Sequence, residues 1–214
     1  MQDKIEIRID DSVVDYPLAL EVMEKRVEGI IDKSQKELIW LTWHDDIYTA
    51  GISANEADLL TDKLPVYRVS RGGKYTYHGR GMRMIYVMLD LKNHFEKGKV
   101  DVRQFVKKLE NWMINVLARF GIKAFICEGR VGIWTKDKNG GEKKIGAIGI
   151  KLKRWVSFHG IALNLDPNLD FFKGIVPCGI SEFGVTSIKD LGVGFDYGKV
   201  DEVILEEFFK AFKN

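Results

Sequence analysis

Cysteine and proline are scarce in this chain of 214 residues, which has 2 cysteines and 4 prolines. Cys127 and Cys178 cannot make a disulfide framework, and without a Cys-x-x-Cys pair or paired histidines the sequence does not indicate a metal site. The chain also lacks the run of about 18 apolar residues that a membrane span needs and the apolar N-terminal stretch of a signal peptide. We therefore expect a cytoplasmic protein with free thiols and no membrane contact.

An excess of charge of one sign is also missing. Basic residues number 33 and acidic residues 31, which gives a net charge of +2. General nucleic-acid binders are usually far more basic, so we expect no nucleic-acid partner. The apolar fraction of 45% is ordinary for a globular protein. With no repeat or linker, the chain is predicted to form one catalytic domain over residues 1–214.

Three helices are predicted from apolar residues spaced by three and four. The first is capped by Asp15 with Pro17 in its first turn, and the second is capped by Asp101 and stopped by Gly121. The third closes the chain, with Glu207 among its outward residues. The predicted inner stripe of the first helix consists of Leu18, Val22, Met23, Ile30 and Ile31.

Strand-like runs lie between the helices, at residues 37–43, 66–70, 82–91, 124–127, 131–135, 144–152 and 155–163. Asn139, Gly140 and Gly141 separate two of these runs and predict a hairpin tip. Helices and strands are interspersed, but the late strands cluster without helices. This order predicts an α/β fold, with a mixed sheet flanked by helices.

Three segments have the composition of a functional site. Residues 71–81 contain four glycines, which would let a ligand lie against the backbone, although a flexible loop accounts for them equally well. In residues 143–150, strand alternation places Lys144 on the face of Gly146, Ile148 and Ile150, opposite Lys143, Ile145, Ala147 and Gly149. A lysine among apolar neighbours could move protons, whereas most lysines at strand ends are simply solvated.

Cys178 is the third candidate. Buried packing is the default role of a free cysteine, but Pro177 fixes the backbone before this thiol and the Gly179 N–H could face a developing oxyanion. Cys127 lies in an ordinary apolar run and is interpreted as core. His78 and His159 could each act as a base for Cys178, while His44 and His94 have no supporting context.

Taken together, these segments resemble the lipoyl(octanoyl) transferases over residues 38–191. The family patterns R-G-G-x-x-T-x-H-G, K-I-x-[AS]-I-G and H-G-x-[AS]-x-N occur here at residues 71–79, 144–149 and 159–164. P-C-G-I and G-V-T-S-[IL] occur at residues 177–180 and 184–188. Two positions depart from the pattern, because Arg80 and Asp46 stand where the family commonly has proline. These departures bear on carrier preference or loop shape rather than on the reaction.

The resemblance implies that Cys178 is the acyl-thioester nucleophile and Lys144 its proton partner, with no cofactor. It implies octanoyl-acyl carrier protein as donor. The implied acceptors are the lipoyl domains of 2-oxoacid dehydrogenase complexes and the glycine cleavage H protein. The implied fold is similar to the catalytic domain of lipoate and biotin protein ligases. The residues implied to bind substrate are Arg71, Gly72, Gly73, Lys74, Tyr75, Thr76, Tyr77, His78, Ala147, Ile148, Gly149, Gly160, Ile161 and Ala162.

Two other functions remain open on the sequence. An ATP-dependent lipoate ligase would have no use for Cys178, and a non-catalytic module binding acylated carriers would have none for Cys178 or Lys144. If an acidic carrier protein docks here, the docking surface of this chain should be basic. Arg71, Lys74, Arg80 and Arg83 are expected to supply it, unless they are ordinary solvated side chains or Arg71 serves the pocket instead.

Overall fold

Three α-helices begin where the sequence places an aspartate before an amphipathic run. A computed structural model describes residues 4–96, 98–176 and 183–212, with α1 at Tyr16–Ile31, α2 at Val102–Arg119 and α3 at Tyr197–Ala211. Asp15, Asp101 and Asp196 each accept a hydrogen bond from a backbone N–H of the first turn. The predicted caps at Asp15 and Asp101 are confirmed. Gly121 follows α2 with a φ of +75°, which suits a helix stop.

Every predicted strand run and the hairpin between β8 and β9 are confirmed. The strands are β1 (Ile5–Val13), β2 (Glu37–Trp43), β3 (Ile47–Ala50), β4 (Val66–Arg68), β5 (Tyr75–His78), β6 (Met82–Met88), β7 (Ala124–Cys127), β8 (Arg130–Lys136), β9 (Glu142–Lys153), β10 (Val156–Asn164) and β11 (Gly184–Val185). The apolar runs of the sequence do not indicate β1, β3, β5 or β11.

The strands form two sheets. The larger has 8 strands in the order β1-β2-β6-β10-β9-β8-β7, with β11 paired to β9. Its β1–β2 and β11–β9 pairs are parallel and its other neighbouring pairs are antiparallel. The smaller sheet has the order β4-β3-β5. The expected α/β architecture, a mixed sheet flanked by helices, is thus the observed one.

Alternation along the central strands divides the large sheet into two buried faces. In β6, Ile85 and Val87 join a cluster with α2 and α3, which we call the α2–α3 face. Met84 and Tyr86 point the other way and pack with α1 and the small sheet, on the α1 face. Within the described ranges, no helix combines the length and apolar character required to cross a membrane.

A β-bulge breaks the alternation that the sequence predicted for β9. Ile133 pairs with Gly146, but the next residue of β8, Trp134, pairs with Lys144, so Ile145 is the extra residue. Ile145 therefore packs on the α2–α3 face together with Ile148. The predicted grouping of Ile145 with Ala147 and Gly149 is wrong because a bulge shifts the phase of every residue on one side of it.

Two helix-face predictions are also wrong. Leu18 is 52% exposed, and the buried positions of α1 are Tyr16, Ala19, Met23, Val27, Gly29 and Ile30. Glu207 of α3 is buried rather than outward, because Arg119 and Lys210 both donate hydrogen bonds to its carboxylate. Charged partners make that burial tolerable.

Candidate active site

A narrow cleft on the α1 face gathers the predicted substrate-binding residues. Every one of them except Tyr77 lines it: Arg71, Gly72, Gly73, Lys74, Tyr75, Thr76, His78, Ala147, Ile148, Gly149, Gly160, Ile161 and Ala162. The cleft has a volume of about 50 Å³, and more of its lining is apolar than polar. Residues of the three motifs that are separate in sequence therefore meet around one slot.

Glycine is required where β9 and β10 form one wall of the cleft. Gly149 and Gly160 are paired across the two strands. A Cβ on Gly160 would overlap the carbonyl oxygen of Ile85 in β6. A Cβ on Gly149 would lie 2.9 Å from Cδ of Arg71 and press on the glycine-rich loop. Both positions thus bring backbone close to backbone or to a fixed side chain.

Arg71 is buried and binds the backbone of the glycine-rich loop. It is 7% exposed, and its Nη1 donates to the carbonyls of Gly72 at 2.9 Å and Lys74 at 3.0 Å. Its Nη2 donates to the carbonyl of Thr49 at 2.8 Å and to Thr49 Oγ1 at 2.7 Å. A planar guanidinium fits this set of acceptors. Arg71 therefore fixes the loop to β3, a structural task that the sequence did not predict.

His78 is the next link in a hydrogen-bond chain that starts at Arg71. Thr49 Oγ1, which accepts from Arg71, lies 3.0 Å from His78 Nε2, and His78 Nδ1 lies 3.0 Å from Met84 Sδ. We assign the Thr49 hydroxyl as donor to Nε2, which leaves the proton on Nδ1 facing the sulfur. Burial is the main cause that holds the pKa of His78 well below its usual value, and the positive charge of Arg71 lowers it further. These contacts make His78 a poor base for a thiol.

His159 is the other histidine predicted as a possible base, and it also lines the cleft. It is 3% exposed, and burial lowers its pKa to about 3. Its φ of +63° is unusual for a histidine inside a strand. Among the described residues, its Nε2 atom is buried without a hydrogen-bond partner. His159 is thus a neutral, strained side chain rather than an effective base near neutral pH.

Tyr16, Met84 and Tyr86 also line the cleft, and the sequence analysis did not select them. Tyr86 donates its hydroxyl proton to His44 Nε2 at 2.6 Å, since His44 Nδ1 lies 2.6 Å from the carbonyl of Val14 and must carry the other proton. The Tyr16 and His44 rings pack edge to face, with centroids 5.1 Å apart. The alternation of Met82, Met84, Tyr86 and Met88 was the available signal, because it gives these residues one shared face.

Tyr77, unlike the other residues predicted to bind substrate, lies outside the cleft. Its ring is fully buried between β5 and the segment 169–174, where it contacts Phe171 and Phe172. Its hydroxyl donates to Asp46 Oδ1 at 2.5 Å. Its neighbours Thr76 and His78 point to the other face of β5 and line the cleft. Tyr75, at the start of the strand, lines the cleft as well.

Lys144 is buried and Lys143 is not. Lys144 is 7% exposed; its Nζ donates to the carbonyl of Val131 at 3.0 Å and lies 5.7 Å from the centroid of the Trp134 ring. The side chain of Lys143 is 33% exposed, and its Nζ lies 3.9 Å from Asp137. The two lysines therefore differ in burial, while the bulge at Ile145 interrupts the strand phase that was predicted to join Lys144 to Gly146, Ile148 and Ile150. Cys178 and its neighbours Pro177 and Gly179 lie outside the described residues.

Cys127 is half-buried at the end of β7 rather than part of the core. The prediction that it is a core residue is wrong because β7 is the edge strand of the large sheet. Arg130 Nη2 lies 2.9 Å from its sulfur, yet burial raises the pKa of the Cys127 thiol. A raised pKa disfavours the thiolate, so Cys127 is poorly suited to act as a nucleophile.

Two of the four residues that were expected to form a basic docking surface are buried. Arg83 is 1% exposed and donates to both carboxylate oxygens of Asp201, at 2.8 and 2.5 Å. Because Arg71 is also buried, neither arginine can meet a partner protein. Lys74 pairs with Asp58 at 3.1 Å, and the exposed Arg80 pairs with Asp45 at 2.9 Å. Each remaining cation is thus accompanied by a carboxylate, which weakens a positive field.

The described residues contain no group of side chains arranged as a metal site. No three His, Cys, Asp or Glu side chains come together there in a way that could hold an ion. His94, for example, lies 2.8 Å from Glu37, which also accepts hydrogen bonds from the Asp90 N–H and the Asn93 side-chain amide.

Similarity to known proteins shows the class of enzyme to which this chain belongs. The sequence profile of the lipoyl protein ligase A/B catalytic domain matches residues 15–209. Solved structures share this fold: lipoate-protein ligase A bound with ATP has a TM-score of 0.69 at 16% identity, covering 96% of this chain and 85% of that one. A bipartite lipoate protein ligase from Thermoplasma acidophilum has a TM-score of 0.68 at 16% identity, covering 97% and 84%.

Curated relatives narrow the class. The octanoyltransferase of Maricaulis maris is 50% identical over 211 residues, covering 97% of this chain and 92% of the relative. That of the Wolbachia endosymbiont of Brugia malayi is 46% identical over 208 residues, covering 97% and 100%. The octanoyltransferase of Brucella melitensis is 50% identical, covering 97% and 81%. The chain therefore belongs to the lipoyl(octanoyl) transferase family and is an acyltransferase.

Proposed function

We propose that this chain is a cytoplasmic enzyme that moves an octanoyl group from octanoyl-acyl carrier protein, through a thioester on Cys178, to a lysine of a lipoyl domain. The acceptors would be the lipoyl domains of 2-oxoacid dehydrogenase complexes and the glycine cleavage H protein. The observation that carries the proposal is the glycine-walled cleft, at which motifs from three parts of the sequence meet. The Thermoplasma ligase described with its E2 lipoyl domain agrees with such an acceptor.

The cleft supplies a place for the acyl chain. The paired glycines Gly149 and Gly160 and the small residues Ala147 and Ala162 leave a slot against the backbone. An octanoyl chain buries about six methylene groups at ~0.8 kcal/mol each, so the slot contributes at most roughly 5 kcal/mol. Each methylene beyond or short of that length changes the fit, which gives a physical basis for chain-length selection.

Lys144 supplies the proton transfer. It lies three residues before Ala147 in β9, and Val185, which follows the segment containing Cys178, pairs with it. On the other side of that segment, the Val176 N–H donates to the carbonyl of Asp58 at 2.8 Å. Both anchors support a pair of Cys178 and Lys144, in which the amine takes the thiol proton and the thiolate attacks the donor carbonyl.

Two exchanges complete the reaction. In the first, the Cys178 sulfur forms a bond to the acyl carbon, the carrier's sulfur–carbon bond breaks, and Lys144 returns its proton to the departing carrier thiolate. In the second, the neutral amine of the acceptor lysine attacks the enzyme thioester, Lys144 receives the amine proton, and the Cys178 thiolate leaves. The first exchange is nearly isoenergetic and the second is downhill, so the reaction needs no ATP. Buried donors near the carbonyl would stabilise the oxyanion of each step.

A transfer assay without ATP tests this proposal against its rivals. Octanoyl carrier protein and a lipoyl domain are mixed with the enzyme, and the mass of the lipoyl domain is followed. Lys144→Ala should slow transfer by roughly 100-fold, the scale of a positioned acid–base group, while the matched Lys143→Ala should cost little. A requirement for ATP would establish a ligase instead. Binding without transfer would establish a carrier-binding module.

A further inference from the structure

Glu110 is a carboxylate on an otherwise apolar helix face. It lies on the inward side of α2 and is 5% exposed, next to Leu109 and near Met113, which are fully buried. A buried carboxylate is costly unless hydrogen bonds or opposite charge compensate for it. Its presence here therefore requires a compensating contact.

That contact is a single peptide group shared with Lys144. The N–H of Gly132 donates to Glu110 Oε1 at 3.2 Å. The carbonyl of the same peptide group belongs to Val131, and it accepts the hydrogen bond from Lys144 Nζ at 3.0 Å. Hydrogen bonds at the two ends of one peptide polarise it in the same direction and strengthen each other. Glu110 thus acts on Lys144 through a peptide that lies between them.

Gly132 has the conformation that this arrangement needs. Its φ is +128°, a region that side chains rarely adopt. A Cβ at this position would lie 2.5 Å from Cε and 3.0 Å from Nζ of Lys144, and 2.8 Å from the carbonyl oxygen of Gly146. The bulge between β8 and β9 begins at the next residue. Only glycine therefore allows the lysine to lie against this peptide.

The electrostatic setting of Glu110 agrees with this geometry. Burial raises the pKa of its carboxyl group, and the Gly132 N–H, then Lys107 and Lys144, oppose that shift. The peptide N–H and the two lysines are therefore the contacts that offset part of the cost of burying the charged carboxylate.

We propose that Glu110 is a positioning residue for Lys144, acting through the peptide group between Val131 and Gly132. This inference rests on the proposed function, because it gives Lys144 a task in proton transfer. Glu110 does not touch the substrate; it keeps the Lys144 ammonium against the Val131 carbonyl between turnovers.

The first test measures the reactivity of Lys144 without catalysis. Limited acetylation followed by peptide mapping gives the labelling of Lys144 relative to Lys143 in the same molecule. Glu110→Gln keeps an acceptor for the Gly132 N–H but removes the charge. The ratio should rise severalfold in Glu110→Gln and stay at the wild-type value in the matched Glu207→Gln, a buried glutamate of α3. An unchanged ratio in Glu110→Gln would overturn the proposal.

The second test is a double-mutant cycle on the transfer reaction. Glu110→Gln should lower kcat about tenfold, a coupling of about 1.4 kcal/mol, and leave KM for octanoyl carrier protein unchanged. In a Lys144→Ala background the same change should have no effect. An equal loss in both backgrounds would overturn the inference, since Glu110 would then act on the fold alone. A fully active Lys144→Ala would instead contradict the proposed function.

Discussion

Replacing His159 by asparagine should make the protein markedly less sensitive to mild acid. The imidazole is buried and neutral, with a pKa lowered to about 3, against an ordinary value of 6.5. Between these values the unfolded chain binds a proton at this position and the folded chain does not. Stability conferred by the neutral imidazole is therefore fully present above pH 6.5 and is lost as the pH falls.

The size of the effect follows from the difference between the two pKa values. Each pH unit below 6.5 costs about 1.4 kcal/mol, so His159 alone should remove roughly 2 kcal/mol of stability at pH 5. Asparagine does not titrate and tolerates the left-handed backbone at φ +63° better than most residues. The substitution therefore removes the titration without adding backbone strain.

Urea unfolding of wild type and His159→Asn at pH 7 and pH 5 measures this contribution. For each protein, the free energy of unfolding at pH 5 is subtracted from its value at pH 7, so that any change in packing caused by the substitution cancels. Wild type should lose about 2 kcal/mol more than His159→Asn between the two pH values. Equal losses would show that His159 is accessible to protons in the folded protein, and the neutral, buried imidazole would be refuted.

Three further substitutions test the packing of the site. Gly160→Ala should lower the free energy of unfolding by roughly 2–3 kcal/mol, because its Cβ would overlap the Ile85 carbonyl. The control Gly194→Ala, which has open space around it, should change that free energy by less than about 0.5 kcal/mol. Equal urea midpoints for the two variants would contradict the close approach at Gly160. Arg71→Lys cannot reach all four acceptors of the guanidinium, so KM for a small octanoyl thioester should rise about tenfold while kcat changes little; an unchanged KM would show that the loop does not need Arg71. Asp201→Asn leaves the buried Arg83 without its counter-charge and should cost about 3–5 kcal/mol by thermal or urea unfolding; a neutral result would show that water reaches this pair.

Local patterns were sufficient for most of the fold. The helix caps at Asp15 and Asp101 and the stop at Gly121 follow from short-range chemistry, and the structure contains each of them. The apolar runs likewise predict the central strands. What local patterns could not supply is pairing. β5 lies within a glycine-rich segment whose composition favours a loop, and it is a strand because β3 pairs with it.

In the candidate site, too, some features could be predicted from the sequence and others depend on contacts between distant segments. The resemblance to the transferase family predicted substrate-binding residues that all line the cleft except Tyr77, whose orientation depends on the phase of β5. It did not predict the bulge that puts Ile145 out of phase, because a bulge is defined only against the neighbouring strand. Nor did it predict that Arg71 and Arg83 are buried, since their partners Thr49 and Asp201 are distant in sequence. Long-range polar partners leave no mark on a single sequence.

Intact-mass analysis after incubation with octanoyl carrier protein, without acceptor or ATP, tests the central claim most directly. Wild type and Cys127→Ala should each gain one octanoyl group, mapped to Cys178 in wild type. Cys178→Ala should gain none. Adding a lipoyl domain should then move that group to the domain's lysine at the rate of overall turnover. An adduct on Cys127, or full transfer by Cys178→Ala, would contradict the account.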